Sequence, residues 1–177
     1  MRPQRLIPAI LYVAALTACY LWMAGAADTL PARVATHFDG AGQADGWTPR
    51  DRVLPSFLYL TVGLSLLLPV LMTLLRFCPA RFLNVPNAGY WRQPEPYRQA
   101  RNFLYDWSWW CALLTVGFCA GLFALTLDAN AAKPPVLTGN GLALLTAAYV
   151  AGIIAWTIGL VVFFSRNPEP PTPGSTP

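Results

Sequence analysis

A chain of 177 residues that is 55% hydrophobic and only 11% charged, where an ordinary soluble domain carries roughly 25% charge, is neither a disordered polypeptide nor an ordinary water-soluble enzyme. Long uncharged apolar stretches alternate with short arginine-bearing segments, the layout of a polytopic membrane protein. The formal net charge of +4 then reads as an arginine-rich face beside anionic lipid, and no nucleic-acid partner is needed to explain it.

Residues 6–27, 53–75, 107–127 and 136–164 contain no Asp, Glu, Lys, Arg or His. Each reaches the ~20 residues that a helix needs to cross ~30 Å of hydrocarbon. Lipid offers no partner to an open backbone group, and the alternation of membrane strands is absent, so the expected fold class is all-α with four transmembrane helices. The first segment, flanked by Arg2 and Arg5 and ending in Ala24-Gly25-Ala26-Ala27, shares features with a cleavable secretory signal. Its apolar run exceeds a signal core, and Tyr20, Trp22 and Met23 would crowd a cleavage site, so it is expected to stay as an anchor. In the second segment Pro55 suits a first helical turn, whereas Pro69 lies deeper and predicts a bend near Leu66. Thr138-Gly139-Asn140-Gly141 reads as a turn and cap, which places the fourth helix over 140–164.

Basic residues near span ends are retained in the cytoplasm. Arg2, Arg5, Arg76, Arg81, Arg92, Arg98, Arg101 and Arg166 fall on one side, against Arg33, Arg50, Arg52 and Lys133 on the other. That excess predicts cytoplasmic N- and C-termini, with residues 28–52 in an outer loop and 76–97 in an inner one. Cys19, Cys111 and Cys119 lie within spans and Cys78 at an inner end, so no disulfide framework is expected, and no two cysteines have metal-site spacing.

The outer loop holds the chain's one histidine. Val34 to Phe38 suits an extended segment, Gly40, Gly42 and Gly46 permit positive φ, and Ala44-Asp45-Gly46-Trp47 is predicted to be a tight turn. Phe38 and Trp47 suit the outer headgroup level. His37, Asp39 and Asp45 together invite a reading as metal ligands, since mixed histidine and carboxylate sets do hold zinc. The plainer reading is that His37 and Asp45 hydrogen-bond the loop into one shape.

The inner loop carries Leu83 to Trp91 and then Arg92-Gln93-Pro94-Glu95. Asn87 and Gly89 favour a turn, which Tyr90 and Trp91 would anchor at the interface. From Glu95 the spacing of Tyr97, Ala100, Leu104, Trp107 and Cys111 predicts an interfacial amphipathic helix running straight into the third span. No phosphate-cradling glycine loop accompanies the arginines here. Asp106, at the mouth of that span, is expected to be satisfied by Arg98, Arg101 or water. Gly117 and Gly121 form a small-residue face for helix packing within the chain or, alternatively, for a homodimer, and Ala148 and Gly152 offer another on the fourth span. The proline-rich stretch 167–177 reads as an extended tail.

Leu30-Pro31 with Val34, His37-Phe38, Gly42 and Asp45-Gly46, followed by Asn87, Tyr90-Trp91 and Pro94-Glu95, resemble the bacterial membrane domain of unknown function sixteen forty-eight, as in the N-terminal part of SdpI-type immunity proteins. The resemblance extends to about Tyr97 and makes residues 1–97 a two-span domain, followed by a helical hairpin over 98–166. It implies a bacterial inner-membrane protein with a role in protection against a membrane-active peptide toxin or in relaying its presence. The single domain copy and the four spans are a departure from the fuller immunity proteins.

The functional expectation is therefore a non-enzymatic membrane protein without cofactor. Its partners would be the bilayer and a peptide toxin or membrane protein, contacted through His37, Phe38, Gly42, Asp45, Gly46 and Trp47. Asn87, Tyr90, Trp91 and Glu95 form a second motif on the inner side. The alternatives are a structural subunit of a membrane assembly, such as a transporter, and a metal-assisted hydrolase built on His37, Asp39 and Asp45.

Overall fold

The computed structural model describes residues 7–166; the proline-rich stretch 167–177, Arg2 and Arg5 lie outside the described residues. Among those described, the order is α1 (Ile7–Ala27), β1 (Arg33–Phe38), β2 (Ala44–Pro49), α2 (Arg50–Leu74), α3 (Ala88–Trp91), α4 (Pro94–Ala131) and α5 (Gly141–Ser165), with 3₁₀ turns at Leu75–Phe77 and Ala80–Phe82. Four helices, α1, α2 with its trailing turn, α4 and α5, are long and apolar enough to cross a membrane. The fold is thus the all-α, four-span arrangement expected from composition, with one small antiparallel sheet added.

Local sequence sets the helix starts. Pro94 opens α4, where its missing N–H costs nothing, and Glu95 and Asp51 place negative charge in the first turns of α4 and α2. α2 begins at Arg50, directly from the end of β2, which puts Pro55 in its second turn; it continues unbroken through Pro69. α4 joins the amphipathic stretch and the third span in one helix of 38 residues, about 57 Å at ~1.5 Å per residue. Since ~30 Å suffices to cross hydrocarbon, its first turns extend beyond the apolar layer.

Alternating helix directions give the bundle two ends. Ala27, Arg50, Ala131 and Gly141 lie at the end that carries the sheet, termed the hairpin end. The opposite, basic end gathers Arg76, Arg81, Arg92, Arg98, Arg101 and Arg166. α4 is the central helix, packed against α1, α2 and α5.

What is buried identifies the surroundings. Thr61, Ser65, Ser108, Thr115 and Thr126 lie inside with Ala100, Ala112 and Cys119, whereas Ile10, Val13, Leu21, Leu64, Leu67, Ile154 and Ile158 point outward. Every one of those inner hydroxyls is satisfied: Tyr12 Oη and Ser65 Oγ lie 2.9 Å apart between α1 and α2, and Thr61, Ser108, Thr115 and Thr126 each donate to a carbonyl three or four residues earlier on their own helix. Small, internally satisfied residues between helices and large aliphatic ones outside are the arrangement that lipid requires, because lipid does not drive apolar side chains together.

α5 is held to α4 by close approach. Gly121 receives Leu145, Gly152 receives Leu114 and Gly159 receives the Trp107 ring. Trp107 Nε1 donates to the Trp156 carbonyl at 3.1 Å and Trp156 Nε1 returns the bond to the Trp107 carbonyl at 2.9 Å. Gly121 therefore serves packing within the chain, while Gly117 opens onto an apolar groove of about 690 Å³ between α4 and α5.

Candidate functional site

The hairpin end contains the site residues expected in the outer loop, arranged differently from the sequence reading. β1 pairs with β2 in the register Val34↔Thr48, Ala35↔Trp47, His37↔Gly46 and Phe38↔Ala44, with irregularities on either side of His37. The tight turn expected at Ala44-Asp45-Gly46-Trp47 is instead the first part of β2; the chain reverses at Asp39 to Gly42. The reason is Asp39, whose Oδ1 accepts the N–H groups of Ala41 at 2.8 Å and Gln43 at 2.9 Å, while Gly42 adopts a φ of +78°. Gly46 is needed for clearance and not for turning: a Cβ there would come within 2.7 Å of His37 Cβ.

His37 and Asp45 do meet, with Nδ1 and Oδ1 2.5 Å apart on an exposed surface. This is the shape-holding pair of the plainer reading. Asp39 is not part of it; its Oδ1 accepts from the turn backbone instead. Among the described residues, no group of three His, Cys, Asp or Glu side chains comes together as a metal site. Along β2 the exposure alternates, leaving Asp45, Trp47 and Pro49 outward; Trp47 is 43% exposed, whereas Phe38 is half-buried.

Three braces that sequence reasoning missed fix the hairpin to the bundle. The Asn130 carboxamide, in the last turn of α4, accepts the Ala35 N–H at 2.8 Å and donates to the Ala35 carbonyl at 2.9 Å, acting as a one-residue third strand. Ala35 is fully buried, so without Asn130 both of its backbone groups would be unpaired. The Leu137 N–H donates to the Gly42 carbonyl at 2.9 Å, and Gln43 bridges to Val136, tying the hairpin tip to the α4–α5 connection. A side chain at Gly42 would strike the Leu137 carbonyl oxygen at 2.4 Å. Arg50 donates to the Leu30 and Asp28 carbonyls. An Asn in an apolar helix end was the one sequence signal available for Asn130; nothing local pairs it with Ala35, 95 positions away.

The second motif lies at the basic end and is a structural clasp. Asn87, in the left-handed conformation at φ 56°, donates Nδ2 to the Phe164 and Ser165 carbonyls, and Trp91 Nε1 donates to the Phe164 carbonyl at 3.0 Å. These bonds satisfy the last turn of α5, whose carbonyls have no intrahelical partner. Trp91 is only 3% exposed and packs against Tyr90, Phe163 and Phe164, so it is not the interfacial anchor that the sequence suggested. Glu95 stands apart, in an exposed ion pair with Arg98.

Residues 13–58 match the family model described as Domain of unknown function (DUF1648). The DUF1648 segment thus takes in most of α1, the whole hairpin with His37, Gly42, Asp45, Gly46 and Trp47, and the start of α2. It stops short of Asn87, Tyr90, Trp91 and Glu95, which the resemblance had included. No curated protein and no solved structure matches the chain.

Proposed function

We propose that this multi-pass membrane protein carries the DUF1648 hairpin as a rigid contact surface on the outer side of a bacterial inner membrane, where it meets a membrane-active peptide or a neighbouring membrane protein. The observation that carries this reading is an exposed face, His37, Asp45 and Trp47, on a hairpin clamped from behind by Asn130 and from its tip by Leu137. A preorganised surface with an outward tryptophan loses little ordering entropy on binding and offers the residue type that dominates contact energetics. The distribution of basic residues supports an outer hairpin, since six arginines of the described chain lie at the other end against four basic residues at this one. The role is non-catalytic and immunity-like or sensing.

Two measurements test it. Full-length protein with Gly40→Cys should react with a membrane-impermeant maleimide in intact cells, while the exposed native Cys78 at the opposite end should not; labelling of Cys78 alone would overturn the orientation. Cells expressing the full chain should resist a synthetic amphipathic membrane-permeabilising peptide, with His37→Ala and Trp47→Ala reducing protection at unchanged protein abundance. Equal sensitivity with and without the protein would remove the immunity-like role.

A further inference from the structure

At the basic end, a cleft of about 460 Å³ between the end of α2 and the first turns of α4 is lined by Met72, Arg76, Phe77, Arg101, Asn102 and Tyr105. None of the residues lining it is a carboxylate; Asp106, the next residue after Tyr105 on α4, lies outside the lining, and Glu95 is engaged by Arg98 on the exposed surface. Arg101 is held in place: Nη1 donates to the Arg76 carbonyl at 2.9 Å, and the guanidinium lies over the Tyr97 ring, 5.0 Å from its centroid. Its Nε is buried and has no hydrogen-bond partner among the described residues. Two arginines, Arg76 and Arg101, lining one cleft with no carboxylate between them make it a place where an anion would be stabilised.

The level of the cleft narrows the anion. α2 and its trailing turn, Arg50–Phe77, comprise 28 residues, about 42 Å at ~1.5 Å per residue, so Arg76 stands where hydrocarbon gives way to headgroups. The lining divides accordingly. Arg76, Arg101, Asn102 and Tyr105 supply donors, whereas Met72 and the 77% exposed Phe77 form an apolar lip. We propose that this cleft is a phosphate-binding site that takes the headgroup of an anionic phospholipid, with Arg76 and Arg101 on the phosphate, Asn102 and Tyr105 completing its hydrogen bonds, and an acyl chain along Met72 and Phe77. A free phosphate would use the same donors but not the lip.

The test uses the full chain in nanodiscs of phosphatidylcholine containing a minor fraction of phosphatidylglycerol, followed by mass spectrometry of the lipid retained on the released protein. Phosphatidylglycerol should be enriched over its bulk fraction. Arg76→Gln, which leaves the carbonyl that anchors Arg101 in place, should weaken retention about fivefold, and Arg101→Gln at least as much. Arg81→Gln, an exposed charge at the same end outside the cleft, should change little. Thermal unfolding of each variant separates lost binding from lost fold. No enrichment, or equal losses from Arg76→Gln and Arg81→Gln, overturns the site. Displacement of the retained lipid by millimolar inorganic phosphate would overturn the lipid assignment in favour of a free-phosphate site.

Discussion

The two ends of the bundle solve one problem in opposite directions. At the hairpin end a helix reaches out to a loop: Asn130 of α4 pairs with the Ala35 backbone and holds the strand down. At the basic end a loop reaches into a helix: Asn87 and Trp91 pair with the last carbonyls of α5. In both, asparagine or indole side chains pair with backbone groups that would otherwise lack a protein partner. The outcomes differ. The helix-to-loop brace leaves His37, Asp45 and Trp47 outward, whereas the loop-to-helix clasp buries its tryptophan among Tyr90, Phe163 and Phe164. The difference separates a surface available for contact from a joint that only holds the fold, although both motifs look alike as short aromatic and glycine-bearing segments.

That contrast can be broken by mutation. Trp91→Ala should have the largest effect on stability, about 3–5 kcal/mol as for buried aromatic truncations, read as a lower midpoint in detergent thermal unfolding, with the hairpin still protected from protease. Asn130→Ala should cost about 2–4 kcal/mol, the lower part of the range for two orphaned backbone groups at about 1–3 kcal/mol each, because both bonds are only part-buried. Its effect should be local, appearing as new cleavage between Asp28 and Arg52 in reconstituted protein. Gly42→Ala, strained by the positive φ and by the Leu137 oxygen, should cost about 1–3 kcal/mol and open the hairpin tip to hydrogen exchange. His37→Ala removes an exposed pair and should change stability by less than about 1 kcal/mol, so any loss of protection against the peptide would report contact and not folding. Equal proteolysis of the hairpin in Trp91→Ala and Asn130→Ala would show that the two ends are not independent.

Much of the candidate site was legible in advance, but for reasons that the structure rearranges. The pairing of His37 with Asp45 followed from a lone histidine and nearby carboxylates in a glycine-rich loop. The turn was misplaced because Asp45-Gly46 and Asp39-Gly40 are equivalent by composition; only the Asp39 carboxylate binding Ala41 and Gln43, and the bulk of His37 opposite Gly46, distinguish them. The three ligands of the metal reading do not come together among the described residues, where Asp39 Oδ1 is engaged by the turn backbone.

Sequence by itself determined the four spans, the helical class and the crowding of arginine at one end, because solvation in lipid acts on each segment separately and a run of ~20 apolar residues needs no tertiary partner to be read. It also placed the amphipathic lead-in to the third span, whose period is local. Tertiary structure decided what joins distant segments: Asn130 with Ala35, Asn87 and Trp91 with Phe164, the reciprocal bonds of Trp107 and Trp156, and Arg101 with the end of α2. Those are hydrogen bonds between backbone groups and side chains far apart in the chain, and no pattern of hydropathy records which open carbonyl a given donor will find.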